Sequence, residues 1–206
     1  MKTKRHTRTP MTDQSTTRTN VLIVEDERSL ADLYAAWLAD VCTVQIAFDG
    51  DQAIEQFGQS IDIVLLDRQM PKLSGDEVLT HIREQNTMCR VVMVTAVDPD
   101  FDIIELEFDE YLTKPVDGDE LRTTVERMDR LGTYDTVLRE LYRCMATQAA
   151  LYSEKSDAEL AETEAYSELQ TQIETLQLKA ECTIEEFDAA DFNTAFHDLN
   201  LPRRNS

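Results

Sequence analysis

Residues 61–67 read IDIVLLD, an apolar run that closes on a carboxylate. A short continuous Val/Ile/Leu run, without the alternation of a half-exposed strand, fits a strand covered on both faces. Working outward, four more runs of this kind appear. VLIVED (21–26) and VQIAF (44–48) precede it; VVMVTA (91–96) and a short EYLTKP (110–115) follow. Helical patterns separate them. Leu30, Leu33, Tyr34, Trp37 and Leu38 recur at helical spacing after the first run, and Ala53, Ile54 and Phe57 after the second. Val78, Leu79 and Ile82 follow the third, Ile103, Ile104 and Leu106 the fourth, and Leu121, Val125 and Met128 the fifth. Five strands alternating with five helices predict an α/β fold, a (βα)5 doubly wound parallel sheet in three layers.

Ligands of such sheets bind outside the carboxyl ends of the strands. The first run ends in Glu25 and Asp26, the third in Asp67 and the fourth in Thr95, and Lys114-Pro115 follows the fifth. Three carboxylates, a hydroxyl and an ammonium are thus expected around one crevice. Clustered carboxylates repel one another until a hard cation such as Mg²⁺ sits between them. A carboxylate in that setting can attack phosphorus and form an acyl phosphate. The metal and the ammonium then neutralise charge on the transferring group.

The pieces VLIVEDE, VLLDRQMPKLSG, VVMVTA and YLTKP, in this order and spacing, resemble the receiver domain of two-component response regulators over about residues 20–130. The resemblance implies a flavodoxin-like receiver with Asp67 as phosphoacceptor and Mg²⁺ held by Glu25, Asp26, Asp67 and the backbone carbonyl of Gln69. It implies that Thr95 hydrogen-bonds the phosphoryl group, that Ala96 leaves room for it and that Lys114 pairs with it. It further implies a cis peptide at Lys114–Pro115, a switch role for Tyr111 together with Thr95, and a loop closed by Gly75. Gln69 and Val97 take the positions that tune loss of the phosphate. The stretch EFDE (107–110) departs from the family, which often has a Gly-Ala turn there.

Beyond residue 130, Leu131, Tyr134, Leu138, Leu141, Met145, Gln148 and Tyr152 step by three and four. Ser156-Asp157-Ala158-Glu159 reads as a capping box that starts a new helix. Tyr166, Leu169, Ile173, Leu176 and Ala180 then repeat the same spacing. Two heptad helices joined by a polar break predict an all-α helical hairpin or coiled-coil region. Gly132 is placed to kink or end the preceding helix, and Gln148 is a polar residue on the seam. Phe187, Phe192, Phe196 and Leu199 fit a last short amphipathic helix. The segment LYRCMATQAALYSEKSDAELAETEAYSELQTQIETL resembles the HalX domain that follows receivers in haloarchaeal proteins, which gives 131–206 as a HalX-like helical domain.

The chain has 206 residues, 20 Lys and Arg against 41 Asp and Glu, and a formal net charge of −21. Residues 1–19 hold five bases and one acid, residues 20–130 nine against 25, and residues 131–206 six against 15. Nucleic-acid binding through bulk charge needs a basic face, so this balance argues against it. The acidity fits a surface suited to high salt, or a basic partner. The polar start, residues 1–19, reads as a disordered basic tail or an arm for a polyanion. It has no apolar stretch of the secretory kind. No apolar run is long enough to span a bilayer. Cys42, Cys89, Cys144 and Cys182 form no CxxC pair, which fits a reduced, cytoplasmic setting. His6, His81 and His197 are too scattered for a ligand set.

These features predict a phosphorelay response regulator and not a turnover enzyme. A sensor histidine kinase would donate phosphoryl to Asp67 with Mg²⁺ present. The output would pass through the C-terminal helices, to a homodimer or a partner protein. The alternative is a transcription regulator that binds DNA through those helices. A haloacid-type phosphatase is disfavoured, because that chemistry wants a second aspartate where Gln69 stands.

Overall fold

The computed structural model describes residues 18–85, 88–99, 101–185 and 187. The basic tail up to residue 17, His6, His197 and the helix expected around Phe192, Phe196 and Leu199 lie outside them. Thr19 does not belong to the tail. It opens strand β1 (Thr19–Val24), paired with Cys42, and its hydroxyl donates to Asp129.

The other strands are β2 (Cys42–Ala47), β3 (Ile63–Leu66), β4 (Arg90–Thr95) and β5 (Glu110–Thr113). They form one parallel sheet in the order β2-β1-β3-β4-β5. Side chains alternate across a strand, so each apolar run feeds two cores. Val21, Ile23, Ile63, Leu65, Val92 and Val94 face α1 (Arg28–Leu38) and α4 (Gly118–Glu154). Leu22, Val24, Val64, Leu66, Val91 and Met93 face α2 (Gly50–Gln56) and α3 (Gly75–Gln85). This double burial is why the runs are continuous and not alternating. The expected flavodoxin-like doubly wound sheet is observed.

One expected helix is missing. Between β4 and β5 the chain makes only a 3-10 turn, Phe101–Glu105. Ile103 and Leu106 turn partly inward, but Phe101 is 84% and Ile104 74% exposed. Two inward residues give one turn of contact, too little to hold a helix whose stability comes from packing.

Asp49 caps α2 by accepting from Gln52, and Asp117 caps α4 by accepting from Asp119 and Glu120. Ser156 and Glu159 form the expected capping box at α5 (Asp157–Ala161), and α6 (Glu164–Glu185) follows. Glu159 is held below the usual carboxylate range by the Ser156 backbone N–H and hydroxyl. Helix α4 runs unbroken through Gly132, so that glycine neither ends nor divides it. The boundary expected at residue 130 therefore falls inside a helix. Contacts of α4 with the returning chain pair Tyr134 with Phe187, just past α6, and Glu140 with Gln172 and Gln148 with Tyr166 within it. The numbers fall on one side as they rise on the other, which makes the hairpin antiparallel.

The seam of α4 differs in part from the heptad reading. Leu131 packs in the sheet core, and Cys144 is buried in the hairpin, whereas Met145 and Tyr152 are 44% and 52% exposed. The cause is a change of neighbour: α4 faces the sheet first and α6 later. No helix among the described residues is long and apolar enough to cross a membrane.

Ion pairs fasten the amino edge of the sheet to α4. The Asp109 carboxylate accepts from Arg83 (2.7 Å), Arg90 (2.5 Å) and the Val91 N–H (2.7 Å). Arg90 also pairs with Asp135 of α4, and Arg127 of α4 with Glu110 at 2.7 Å. The unusual acids of EFDE thus include two that are arginine partners. Asp109 is largely buried and Asp135 is 41% exposed at the side chain. Removing a buried carboxylate strands its cations, while a half-exposed pair is screened. Asp109→Ala is expected to cost on the order of 2–4 kcal/mol and Asp135→Ala under about 1 kcal/mol. Denaturant unfolding of both variants checks the ranking.

Burial also governs the thiols. It pushes Cys42 up to about 11 and Cys89 up to about 12, so both stay protonated near pH 8. Cys144 is buried and Cys182 exposed. In native buffer at pH 8 a thiol reagent should modify Cys182 quickly and the other three only upon unfolding.

Candidate functional site

The chemical residues stand at strand ends, and the sheet's hydrogen bonds carry on just past the strands to hold them. The Glu25 N–H donates to Ala47, the Asp67 N–H to Val24 and the Lys114 N–H to Thr95. Each of the three backbones is therefore fixed by the neighbouring strand. Thr95 is the last residue of β4 and is fully buried.

This scaffold brings the predicted residues together. Lys114 Nζ donates to Glu25 Oε2 at 2.6 Å and to Asp67 Oδ2 at 2.7 Å. Glu25 and Asp67 are only 2% and 6% exposed, so the ammonium is what offsets their mutual repulsion. Burial pushes the Glu25 carboxyl up from its ordinary value, against the lowering effect of Lys114. For Lys114 burial alone would lower the ammonium, but its bonds to Asp67 and Glu25 win and raise it. Asp26 is exposed beside them, and ligand atoms of Glu25, Asp26 and Asp67 lie within 4.8 Å of one another. Two buried carboxylates and one open to solvent fit a small hard cation that keeps part of its water shell.

The loop after Asp67 folds back on the site. The Gln69 N–H donates to Asp67 Oδ1 at 3.1 Å, which sets that peptide against the carboxylate. Arg68 pairs with Asp76 in the first turn of α3, and Lys72 takes a left-handed φ of 72° to turn the chain. Gly75 donates its N–H to the Arg68 carbonyl. A Cβ at Gly75 would stand 2.3 Å from the Asp67 carbonyl oxygen and 2.8 Å from the Arg68 Cα. Only glycine lets the helix start this close to the backbone of Asp67. The Lys114–Pro115 peptide is cis, as the resemblance implied.

Val97 joins the two residues assigned to the switch. Its N–H donates to Thr95 Oγ1 at 3.3 Å, and its carbonyl accepts from the Tyr111 hydroxyl at 2.7 Å. Sequence reasoning had Val97 only as a flanking residue. Its bridging role uses the backbone, which no side-chain pattern reveals. Phe108, packed 5.6 Å from the Tyr111 ring, was also missed.

The parallel sheet thus gathers two buried carboxylates, a lysine and a hydroxyl at its carboxyl edge, where ligands of doubly wound folds bind. Residues 21–126 match the family described as the response regulator receiver domain, and residues 130–196 match the HalX domain. This chain belongs to the response regulator receiver family and carries a HalX domain after the receiver. It is 41% identical over 170 residues, 82% of this chain and 29% of the relative, to a Haloferax volcanii protein whose name includes "transcriptional regulator". It is 38% identical over 115 residues, 53% of this chain and 51% of the relative, to the transcriptional regulatory protein DltR of Streptococcus agalactiae. The chain thus spans under a third of the first relative and about half of the second. Among solved structures, a signal receiver domain from Vibrio parahaemolyticus aligns with a TM-score of 0.55 and 28% identity. That match covers 59% of this chain and 97% of the other.

Gly75→Ala should lower stability by about 1–3 kcal/mol, the cost of overpacking. Gly58→Ala, whose Cβ would meet nothing within 4 Å, should not. Thermal unfolding of the two variants compares them directly.

Proposed function

We propose that this chain is a phosphorelay response regulator that takes a phosphoryl group from a sensor histidine kinase onto Asp67. In the transfer, the phosphorus–nitrogen bond of a phosphohistidine breaks as an Asp67 carboxylate oxygen bonds to phosphorus, and the imidazole leaves. The product is an acyl phosphate. The single observation that carries the reading is Lys114, whose Nζ reaches both Asp67 and Glu25 at hydrogen-bond distance. On transfer, Lys114 would exchange its contact with a carboxylate for one with a phosphoryl oxygen. Glu25, Asp26, Asp67 and the Gln69 carbonyl would hold Mg²⁺, which supplies charge neutralisation on the transferring group. Thr95 would donate its hydroxyl to the phosphoryl group and give up the Val97 N–H. Because Val97 also holds the Tyr111 hydroxyl, that exchange reaches Tyr111 and the exposed turn at Phe101–Glu105. This is a shift between two populations of one molecule.

The reading has the chain act in the cytoplasm as a signalling module, with the phosphate lost by hydrolysis and not through turnover of a substrate. The HalX helices would carry the output through self-association or a partner protein. A second reading, DNA binding through those helices, draws on the name of the Haloferax volcanii relative. The six bases against 15 acids from residue 131 onward speak against it.

Incubated with acetyl phosphate and Mg²⁺, the intact chain should gain the mass of one phosphoryl group. Asp67→Asn, or chelation of the metal, should abolish that gain. Labelling that survives in Asp67→Asn would place the acceptor elsewhere. A gel shift on a defined DNA sequence that weakens with salt would favour the second reading.

A further inference from the structure

Helix α4 extends well past the sheet as one arm of the hairpin, and α6 covers only part of its apolar surface. At about 100° per residue, the inward residues Leu141, Cys144, Gln148 and Leu151 define the side that faces α6. Leu138, Tyr142, Met145, Ala149 and Tyr152 fall within about 80° of arc on one flank of that side. Tyr142 is 69% exposed, Tyr152 52% and Met145 44%. From Leu131 to Tyr152 that arc carries no charged residue, in a chain of net charge −21. The heptad of the sequence, Leu131 to Tyr152, is centred nearer to this flank than to α6. A sustained heptad marks a helix that packs along its length against another helix, and α6 does not use all of it.

We propose that a second copy of this chain covers the stripe, α4 against α4, antiparallel, with Met145 at the two-fold axis. This rests on the reading that the helical region works through self-association, and it names the face. The stripe suits its own copy. Reversed about Met145, Leu138 lies opposite Tyr152, and the large Tyr142 falls within one residue of the small Ala149 of the other copy, a stagger that lets side chains interdigitate. The lack of charge matters as well. Two acidic chains repel wherever their charged surfaces meet, and this strip is where they can approach without opposing like charges. A two-fold contact of this kind is self-complementary and closed. Two hairpins joined in this way make a four-helix bundle. Salt should strengthen the contact by screening the remaining repulsion.

The test uses the full chain with Cys182→Ser, which removes the exposed thiol and leaves the three buried ones. In that background, Met145→Cys should form a disulfide-linked dimer under mild oxidation in molar salt. Thr147→Cys, exposed on the opposite flank, should not. Sedimentation should give a dimer for the unmodified chain. Met145→Glu should weaken it at least about tenfold, by setting like charges across the axis, and Met145→Leu should keep it. A dimer that ignores Met145→Glu and never cross-links at 145 would overturn this face while sparing self-association. A chain that stays monomeric at all concentrations and in molar salt would overturn both. A monomer whose 145 thiol resists labelling would show that residues 188–206 or another part of the chain cover the stripe, which also overturns the proposal. None of these outcomes depends on whether Asp67 takes phosphate.

Discussion

Lys114 lies between two carboxylates that water scarcely reaches. Glu25 and Asp67 close neighbouring strands β1 and β3 of a sheet whose order is fixed by hydrophobic burial, so the fold itself forces the two acids together. Without a cation there, one carboxylate would have to take a proton or the strand ends would have to part. The ammonium at 2.6 and 2.7 Å resolves the conflict, and the rest of the site follows from it. Lys114 must leave β5 beside Thr95, which the hydrogen bond from its N–H to the Thr95 carbonyl ensures. Asp67 must present its carboxylate upward, which requires the loop after it to fold back, and that requires Gly75. The arrangement is poised because the lysine is shared. Anything that brings new charge to Asp67 changes how the ammonium divides its contacts.

Much of this was legible from the sequence for a definite reason. In a parallel sheet, strand ends are the points where apolar runs stop, and the residues at those stops are the site. Glu25, Asp26, Asp67, Thr95 and Lys114 could therefore be placed without knowing the strand order. What could not be read depended on partners distant in sequence. The acids of EFDE looked anomalous, and only the fold sets Asp109 beside Arg83 and Arg90 and Glu110 beside Arg127. Val97 works through its peptide group, which carries no side-chain signature. The fourth helix was overread because Ile103, Ile104 and Leu106 are apolar, yet Ile104 points to solvent. The Gly132 break was overread because a lone glycine weakens a helix by only about 1 kcal/mol, which packing on both sides readily offsets.

The acidity divides into parts that obey different physics. Glu25 and Asp67 are buried and answer to one lysine. Asp109 is largely buried and answers to two arginines, which form short bonds that salt screens little. Glu77 and Glu159 sit in caps, where serine hydroxyls and backbone N–H groups hold their carboxyls below the usual range. The remaining surface acids confer solubility and mutual repulsion, which fall away as ionic strength rises. A chain built in this way keeps its internal ion pairs in strong salt while losing the repulsion that keeps copies apart.

That division bears on how the two ends of the molecule communicate. Strand β4 ends in Thr95 at the carboxyl edge, and Tyr111 of β5 reaches that edge through its hydroxyl on the Val97 carbonyl. At the opposite edge the same strands carry Arg90 and Glu110, which grip α4 through Asp135 and Arg127. The grip on Asp135 falls past Gly132, on the part of the helix that becomes the hairpin arm. Since α4 is unbroken from Gly118 to Glu154, no flexible linker stands between the sheet and the hairpin. A displacement of β4 or β5 would therefore act on a continuous helix, with no linker to absorb it before the hairpin. The contact of Phe187, just past the end of α6, on Tyr134 brings the returning chain back to the same place. Continuity of the helix, and not any single contact, is what joins the sheet to the HalX helices.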